Sequence, residues 1–281
     1  MINRELAARL PQEGERPAAL HAAMRYSVLS GGKRLRPVLV MAAAEAAGGS
    51  ADAVLEPALA VEILHTYTLI HDDLPCMDDD NLRRGRPTLH KVFGEANALL
   101  AGDALLTLAF EWLASSQAQA PYPPNQLAVE LAQAAGSRGV IGGQVEDIAA
   151  TGLTPTAALV EYIHSHKTGS LIRAAVRMGA IAAGACKKDL TALTEYGVKS
   201  GLAFQIADDI LNTMSSPELL GKPTGSDKAH GKITWVAVHG LDAARAEATR
   251  LVGLAEDALS GLSGNTAPLR ALARHMVDRK S

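Results

Sequence analysis

Alanine and leucine recur at three- and four-residue spacing through most of this chain, while alternating β-branched runs bounded by hairpin turns are scarce. That periodicity commits the backbone to helices, so the expected fold is all-α. The spacing predicts helices over residues 16–29, 34–48, 52–73, 92–116, 125–150, 156–183, 188–214, 232–260 and 266–279. Proline and glycine punctuate the joins at Ala120-Pro121-Tyr122-Pro123-Pro124 and at Thr151-Gly152-Leu153-Thr154-Pro155, and a long polar stretch runs from Ser215 to Gly231. None reads as an interdomain linker. Hydrophobic residues make up 48% of the 281 positions, enough for a large core, and one domain over residues 1–281 is expected.

Two carboxylate clusters interrupt this apolar pattern. From Leu55 to Asp73 the residues Leu55, Leu59, Val61, Ile63, Leu64, Leu69 and Ile70 leave little polar surface, so the helix should be buried on most sides. His65, Thr68 and Asp72 fall at i, i+3 and i+7, one stripe pointing the same way. From Glu195 to Met214 the pattern repeats, with Gln205, Asp208, Asp209 and Asn212 forming the polar stripe. Buried carboxylates need cation partners, because desolvating an unpaired charge is costly. Neither helix supplies an equal number of basic residues, so shared metal ions are implied. Magnesium fits best, since it prefers carboxylate oxygen, keeps several waters and is completed by substrate phosphates. Taken alone, Asp78-Asp79-Asp80 reads as a solvated helix end. Two clusters on apolar helices, with basic motifs elsewhere, reverse that reading.

Basic residues that could meet phosphate are grouped. Gly31-Gly32-Lys33-Arg34-Leu35-Arg36-Pro37 places flexible glycines before three cations. It is not a Walker A loop, because Ser27 stands where the first glycine is required and Arg34 where a Ser or Thr would touch magnesium. Arg83 and Arg84 closely follow the first acidic cluster, and Lys167-Thr168, Lys222 and Lys232 are further candidates. A net charge of −3, from 27 basic and 30 acidic residues, gives no field suited to nucleic acid. The opening MINRELAARLPQEGERP is too polar for a signal peptide, and no apolar run reaches the ~20 residues needed to span a bilayer, so a cytoplasmic protein is expected. Cys76 and Cys186 form neither a C-x-x-C pair nor a zinc spacing and are expected as core or near-core thiols.

These residues resemble the trans-prenyl diphosphate synthases of the farnesyl and geranylgeranyl type over nearly the whole chain. The carriers are Gly31 to Pro37, His71-Asp72-Asp73-Leu74-Pro75-Cys76-Met77-Asp78 through Arg83-Arg84-Gly85, Gly143-Gln144-Val145-Glu146-Asp147, Lys167-Thr168, and Phe204-Gln205-Ile206-Ala207-Asp208-Asp209. The resemblance implies a single large helical bundle of the isoprenoid synthase type around a central cavity, working as a homodimer. It implies that Asp72, Asp78 and Asp208 coordinate magnesium, three ions with bound diphosphate. Arg83, Lys167, Thr168, Gln205, Lys222 and Lys232 would grip the allylic diphosphate, with Lys167, Thr168, Gln205 and Asp208 closest to the chemistry. Lys33, Arg36, His65 and Arg84 would take isopentenyl diphosphate, although His65 also reads as a satisfied core histidine. The implied reaction ionises the allylic C–O bond, adds the isopentenyl double bond to the cation and gives the lost proton to diphosphate. No Ser-His-Asp or Cys-His constellation is visible, which agrees with that chemistry.

The chain departs from the family pattern at Asp208-Asp209-Ile210-Leu211-Asn212, where the usual third aspartate is Asn212. Asn212 can still hydrogen-bond a metal-bound water, and a weaker metal affinity is expected. The usual Tyr-Pro after the Lys-x-Thr segment is replaced by Trp235-Val236, and the N-terminus is short. Tyr67 and Thr68 precede Asp72 by five and four residues, which places them roughly 6–8 Å down the same helix. In the family a bulky aromatic there goes with short products, so Tyr67 is expected to block the pocket early and farnesyl diphosphate is the expected product, with Pro75-Cys76 as the accompanying insertion. A geranylgeranyl or geranyl synthase is the close rival. A terpene cyclase fits less well, since such cavities are aromatic and only 4% of residues here are. A non-catalytic regulatory subunit would have eroded motifs, and only Asn212 leans that way.

Overall fold

The structure is a computed structural model that describes residues 1–214 and 233–278. Lys222 and Lys232 therefore lie outside the described residues. The elements run α1 (Ile2–Arg9), α2 (Ala18–Val28), α3 (Leu35–Ala46) and α4 (Leu55–Asp72), then a small hairpin of β1 (Leu82–Arg83) and β2 (Arg86–Pro87). They continue as α5 (Leu89–Phe93), α6 (Glu95–Ala114), α7 (Gln126–Ala135), α8 (Val140–Ala149), α9 (Ala157–Ile163), a π-helical turn (His164–Gly169) and α10 (Ser170–Ala182). The last are α11 (Lys187–Met214), α12 (Trp235–His239), α13 (Leu241–Ala258) and α14 (Ala267–Val277). The all-α expectation holds: the strands are two residues each, paired antiparallel with Leu82 opposite Pro87 and Arg83 opposite Arg86.

Helix α4 lies against α6 and α3, α10 bridges α3 and α11, and α11 packs along α13. This arrangement buries α4 on most of its circumference, including Leu59, Ile63 and Leu64, as its composition demanded. One apolar cluster runs from α1 through α10 and reaches α14, while a second forms under the last helices from Val160, Ile163, Ala203, Ile206, Ile233, Trp235, Ala244, Ala248 and Leu251.

Several boundaries differ from the expected ones. α1 was not anticipated; its eight residues bury Ile2 and Leu6 against the core, a two-residue signal too short to register as periodicity. The helix expected over 92–116 breaks at Gly94, whose φ of 80° turns the chain between α5 and α6, a conformation open to glycine at little cost. Helices expected over 125–150 and 232–260 likewise break, near Gly136 and at Gly240. The helix expected over 156–183 is continuous but loosens into the π turn. Cys76 and Cys186 are exposed rather than core thiols, because each sits in a connection outside the packed helices. Two helices, Asp52–Asp72 and α6, are long and apolar enough to cross a membrane by length and composition, contrary to the expectation that no run reaches that length. The first is mostly buried inside the bundle, and Glu62 within it is ion-paired.

Candidate functional site: two aspartate helices facing one cavity

A cavity of about 420 Å³ opens between α4, α8, the π turn and α11. Its wall carries Arg36, His65, Thr68, Asp72, Asp78 and Arg83 on one side and Lys167, Thr168, Gln205, Asp208 and Asn212 on the other. The stripe of His65, Thr68 and Asp72 thus faces the cavity, and so does the stripe on α11. Asp78 joins them through the reverse turn after α4, where its N–H donates to the carbonyl of Asp72 at 2.9 Å. Two carboxylates six positions apart are folded onto one mouth in this way.

Within each aspartate pair the two residues have different work. Asp73 is 4% exposed and absent from the cavity wall; its Oδ1 accepts from Arg83 Nε at 2.9 Å and from Nη2, while Arg83 Nη2 also reaches Asp80 Oδ2 at 3.3 Å. Burial opposes the charge on Arg83, but the hydrogen bond and charge of Asp73 outweigh it and raise the pKa. Asp209 is also buried, but unlike Asp73 it belongs to the cavity wall. Its Oδ2 accepts from the backbone N–H of Trp235 at 2.6 Å and lies 3.3 Å from His164 Nε2.

The basic residues divide as well. Arg34 points away from the cavity: its guanidinium donates to Glu62 at 2.7 Å, to Asn3 Oδ1 at 2.9 Å and to the Val28 carbonyl at 2.6 Å. Arg36, two positions on, lines the cavity, and burial lowers its pKa to about 10 against the favourable charge of Glu62, with Arg84 lowering it further. His65 is pushed well below its ordinary value by burial and then by Arg36, Arg84, Arg83 and Arg34, so it faces the cavity as neutral imidazole. Concentrated cations around a concave wall make an anion site. Arg84 does not line the cavity. Its side chain lies across Gly32 and donates to the Gly31 carbonyl, beside a smaller hollow shared with Tyr26, Arg86 and Thr88. Lys33 is exposed and is also absent from the cavity wall.

On the opposite wall the π turn presents Lys167 and Thr168 side by side. π-helical turns are rare and are found frequently at functional sites. α8 holds this turn from behind. A Cβ on Gly143 would overlap the Lys167 backbone nitrogen, and one turn further Asp147 Oδ2 accepts from Lys167 Nζ at 2.6 Å. His164, stacked on Trp235 with centroids 6.2 Å apart, has its pKa lowered to about 4, by burial first, with Asp147 opposing and Lys167 reinforcing.

Tyr67 departs from expectation. It is 5% exposed, sits edge-on to His71 at 5.3 Å, and is not part of the cavity wall, whereas its neighbour Thr68 is. Successive helical residues are about 100° apart, so the two cannot face the same space. Residues without an expected role but now in or behind the site are Glu62, Gln144, Asp147, His164 and Trp235. Only Gln144 and Asp147 had a sequence signal, their place in the Gly143–Asp147 motif.

A divalent cation fits this donor set. Asp72, Asp78 and Asp208 offer hard carboxylate oxygens to one cavity. No three His, Cys, Asp or Glu side chains among the described residues converge closely enough to hold an ion unaided. Such a site suits a metal whose remaining positions are filled by water and ligand phosphate, which is the habit of Mg²⁺.

Comparison with known proteins agrees with this geometry. The polyprenyl synthetase family model matches residues 17–259. The chain is 46% identical over 269 residues to a chloroplastic geranylgeranyl pyrophosphate synthase 12 of Arabidopsis thaliana, covering 94% of this chain and 75% of that protein. Among solved structures, an FPP/GFPP synthase from Zymomonas mobilis superposes with a TM-score of 0.86 at 38% identity, over 98% of this chain and 94% of that one. A geranyltransferase from Helicobacter pylori, complexed with magnesium and isoprenyl diphosphate, superposes with a TM-score of 0.83 at 34% identity, over 98% and 92%.

Proposed function

Because the chain belongs to the polyprenyl synthetase family and is a prenyltransferase of that kind, we propose that it condenses isopentenyl diphosphate with an allylic diphosphate, lengthening the chain by five carbons and releasing diphosphate. The observation that carries this reading is the meeting of Asp72, Asp78 and Asp208 with Arg36, Lys167 and Thr168 around one cavity. Mg²⁺ held by Asp72, Asp78 and Asp208 would supply charge to neutralise the departing diphosphate. Three ions per site follow from the family resemblance. Lys167, Thr168 and Gln205 bind and orient the allylic diphosphate as its C–O bond breaks and the electron pair leaves with oxygen. Arg83, already held by Asp73, adds a pre-oriented guanidinium. Lys222 and Lys232 keep their proposed part in the same grip.

Arg36 and neutral His65 bind isopentenyl diphosphate, with Lys33 and Arg84 from the adjoining loop and hairpin. Its double bond attacks the allylic carbon, and the resulting cation loses a proton to the released diphosphate. Leu69, Val140, Ile163, Leu171 and Phe204 form the apolar part of the wall and exclude water from the cation.

Two product lengths have support. Geranylgeranyl diphosphate is favoured by the names of relatives about as similar as the Arabidopsis enzyme, and by the position of Tyr67 outside the cavity wall. Farnesyl diphosphate is favoured by the presence of an aromatic residue five positions before Asp72. A homodimer is proposed from the family resemblance.

Incubating the purified chain with Mg²⁺, dimethylallyl diphosphate and labelled isopentenyl diphosphate, then separating products by chain length, tests both levels. Turnover abolished by chelation is expected, and no turnover at any metal concentration overturns the reading. Tyr67→Ala should lengthen the product if Tyr67 floors the pocket, and an unchanged product assigns it to packing alone.

A further inference from the structure

Five buried side-chain atoms among the described residues make no hydrogen bond: Arg36 Nε, His90 Nε2, His164 Nδ1, and both amide atoms of Gln144. All but His90 belong to residues lining the cavity. Gln144 stands out because nothing at all engages its amide, although it is only 8% exposed. A primary amide offers two donors and a carbonyl acceptor, and folding takes all of them out of water without replacement. Buried polar groups are nearly always paired, so an unpaired amide facing a cavity points to a ligand that completes it.

The place of its helix against the π turn is fixed by the residues on either side of it. Gly143 lets α8 press onto the backbone of Lys167, and Asp147, one turn along the same face, holds Lys167 Nζ at 2.6 Å. Gln144 therefore shares with Lys167 and Thr168 the cavity wall that, in the reading above, receives the allylic substrate.

We propose that Gln144 is a further catalytic residue, whose Nε2–H groups donate to the allylic diphosphate as the C–O bond breaks. The electron pair leaves with the diphosphate oxygen, and negative charge grows where an amide donor stabilises it; Gln144 itself exchanges no proton or electron. Its Oε1 has the correct sign to face the positive allylic carbon. The inference rests on the prenyl-transfer reading above. It adds a consequence that reading lacks: Gln144 is tolerated at a cost to the free protein and becomes useful only when ligand is bound.

Gln144→Leu separates these effects by sign. The ligand-free variant should melt at the same or a higher temperature, because an unpaired buried amide has been removed. Its melting shift on addition of Mg²⁺ with inorganic diphosphate should shrink. Turnover should fall roughly 10- to 100-fold, the range for a lost hydrogen bond to a charged group, with KM for isopentenyl diphosphate unchanged. Unchanged turnover overturns the proposal whatever the melting temperature. If turnover falls but the free variant also melts lower, Gln144→Glu decides. A carboxylate there should abolish the diphosphate-induced shift by repulsion, and a shift equal to wild type overturns the proposal. An inactive wild-type chain condemns the prenyl-transfer reading, whereas an active wild type with an unaffected Leu variant condemns only the role of Gln144.

Discussion

Helix α4 ends on a pair of aspartates and α11 carries a pair just over one turn before its end, yet the two pairs are anchored differently. In both, the first residue, Asp72 or Asp208, lines the cavity. The second is buried and holds a neighbour in place. Asp73 holds Arg83, a residue ten positions away on the adjoining hairpin, through a side-chain ion pair. Asp209 holds the backbone N–H of Trp235 and lies against His164, both brought from elsewhere in the fold. The first motif is therefore organised locally, and the second is organised by tertiary contacts that tie the start of α12 to the π turn carrying Lys167. On α4 the pair divides into one residue for the cavity and one for the scaffold, whereas on α11 Asp209 lines the cavity and holds the scaffold as well.

This comparison predicts graded effects. Asp208→Ala and Asp72→Ala should each lower turnover by roughly 100- to 1,000-fold, measured by diphosphate release, while leaving the fold intact by circular dichroism. Near-wild-type activity in either would remove that helix from the chemistry. Asp73→Ala strands a largely buried Arg83 and should cost about 3 kcal/mol in urea unfolding, whereas Asp209→Asn keeps an acceptor for Trp235 and should cost about 1 kcal/mol. Equal losses would erase the distinction between the local and the tertiary anchor.

The anchor on α11 should also respond to pH. His164 titrates near 4 in the folded chain and near 6.5 unfolded, so the unfolded state binds the proton first as pH falls. Stability of the metal-free protein should thus be flat above pH 6.5 and decline towards pH 4, by up to about 3 kcal/mol from this group. His65, displaced in the same direction, adds to the decline from the α4 side. His164→Leu should flatten the profile; an unchanged slope would place the titration elsewhere. The smallest effect is expected at Asn212. Asn212→Asp should lower the Mg²⁺ concentration for half-maximal activity roughly two- to fivefold, and no change would show that the missing carboxylate is not felt by the metal.

Much of the site was legible because it is periodic within single helices. His65, Thr68 and Asp72 share a face by spacing alone, and so do Gln205, Asp208 and Asn212, so their common cavity could be foreseen. Arg34 and Arg36 could not be told apart in the same way. They belong to one basic run, and the sequence does not reveal that Arg34, at φ 48°, turns back to Glu62 while Arg36 goes forward into the cavity. Tyr67 was misplaced for a related reason: depth along a helix follows from residue number, but facing depends on which neighbours surround it.

What the sequence determined by itself was the helical class, the two inward acidic stripes and their need for cations, all consequences of periodicity and of the cost of burying charge. The tertiary structure alone decided the partners. Asp147 with Lys167, Asp209 with Trp235, Arg34 with Glu62 and the unpaired amide of Gln144 arise from chain segments meeting in space. Such meetings leave no local pattern, because a side chain's partner is set by helix packing and not by its distance along the chain.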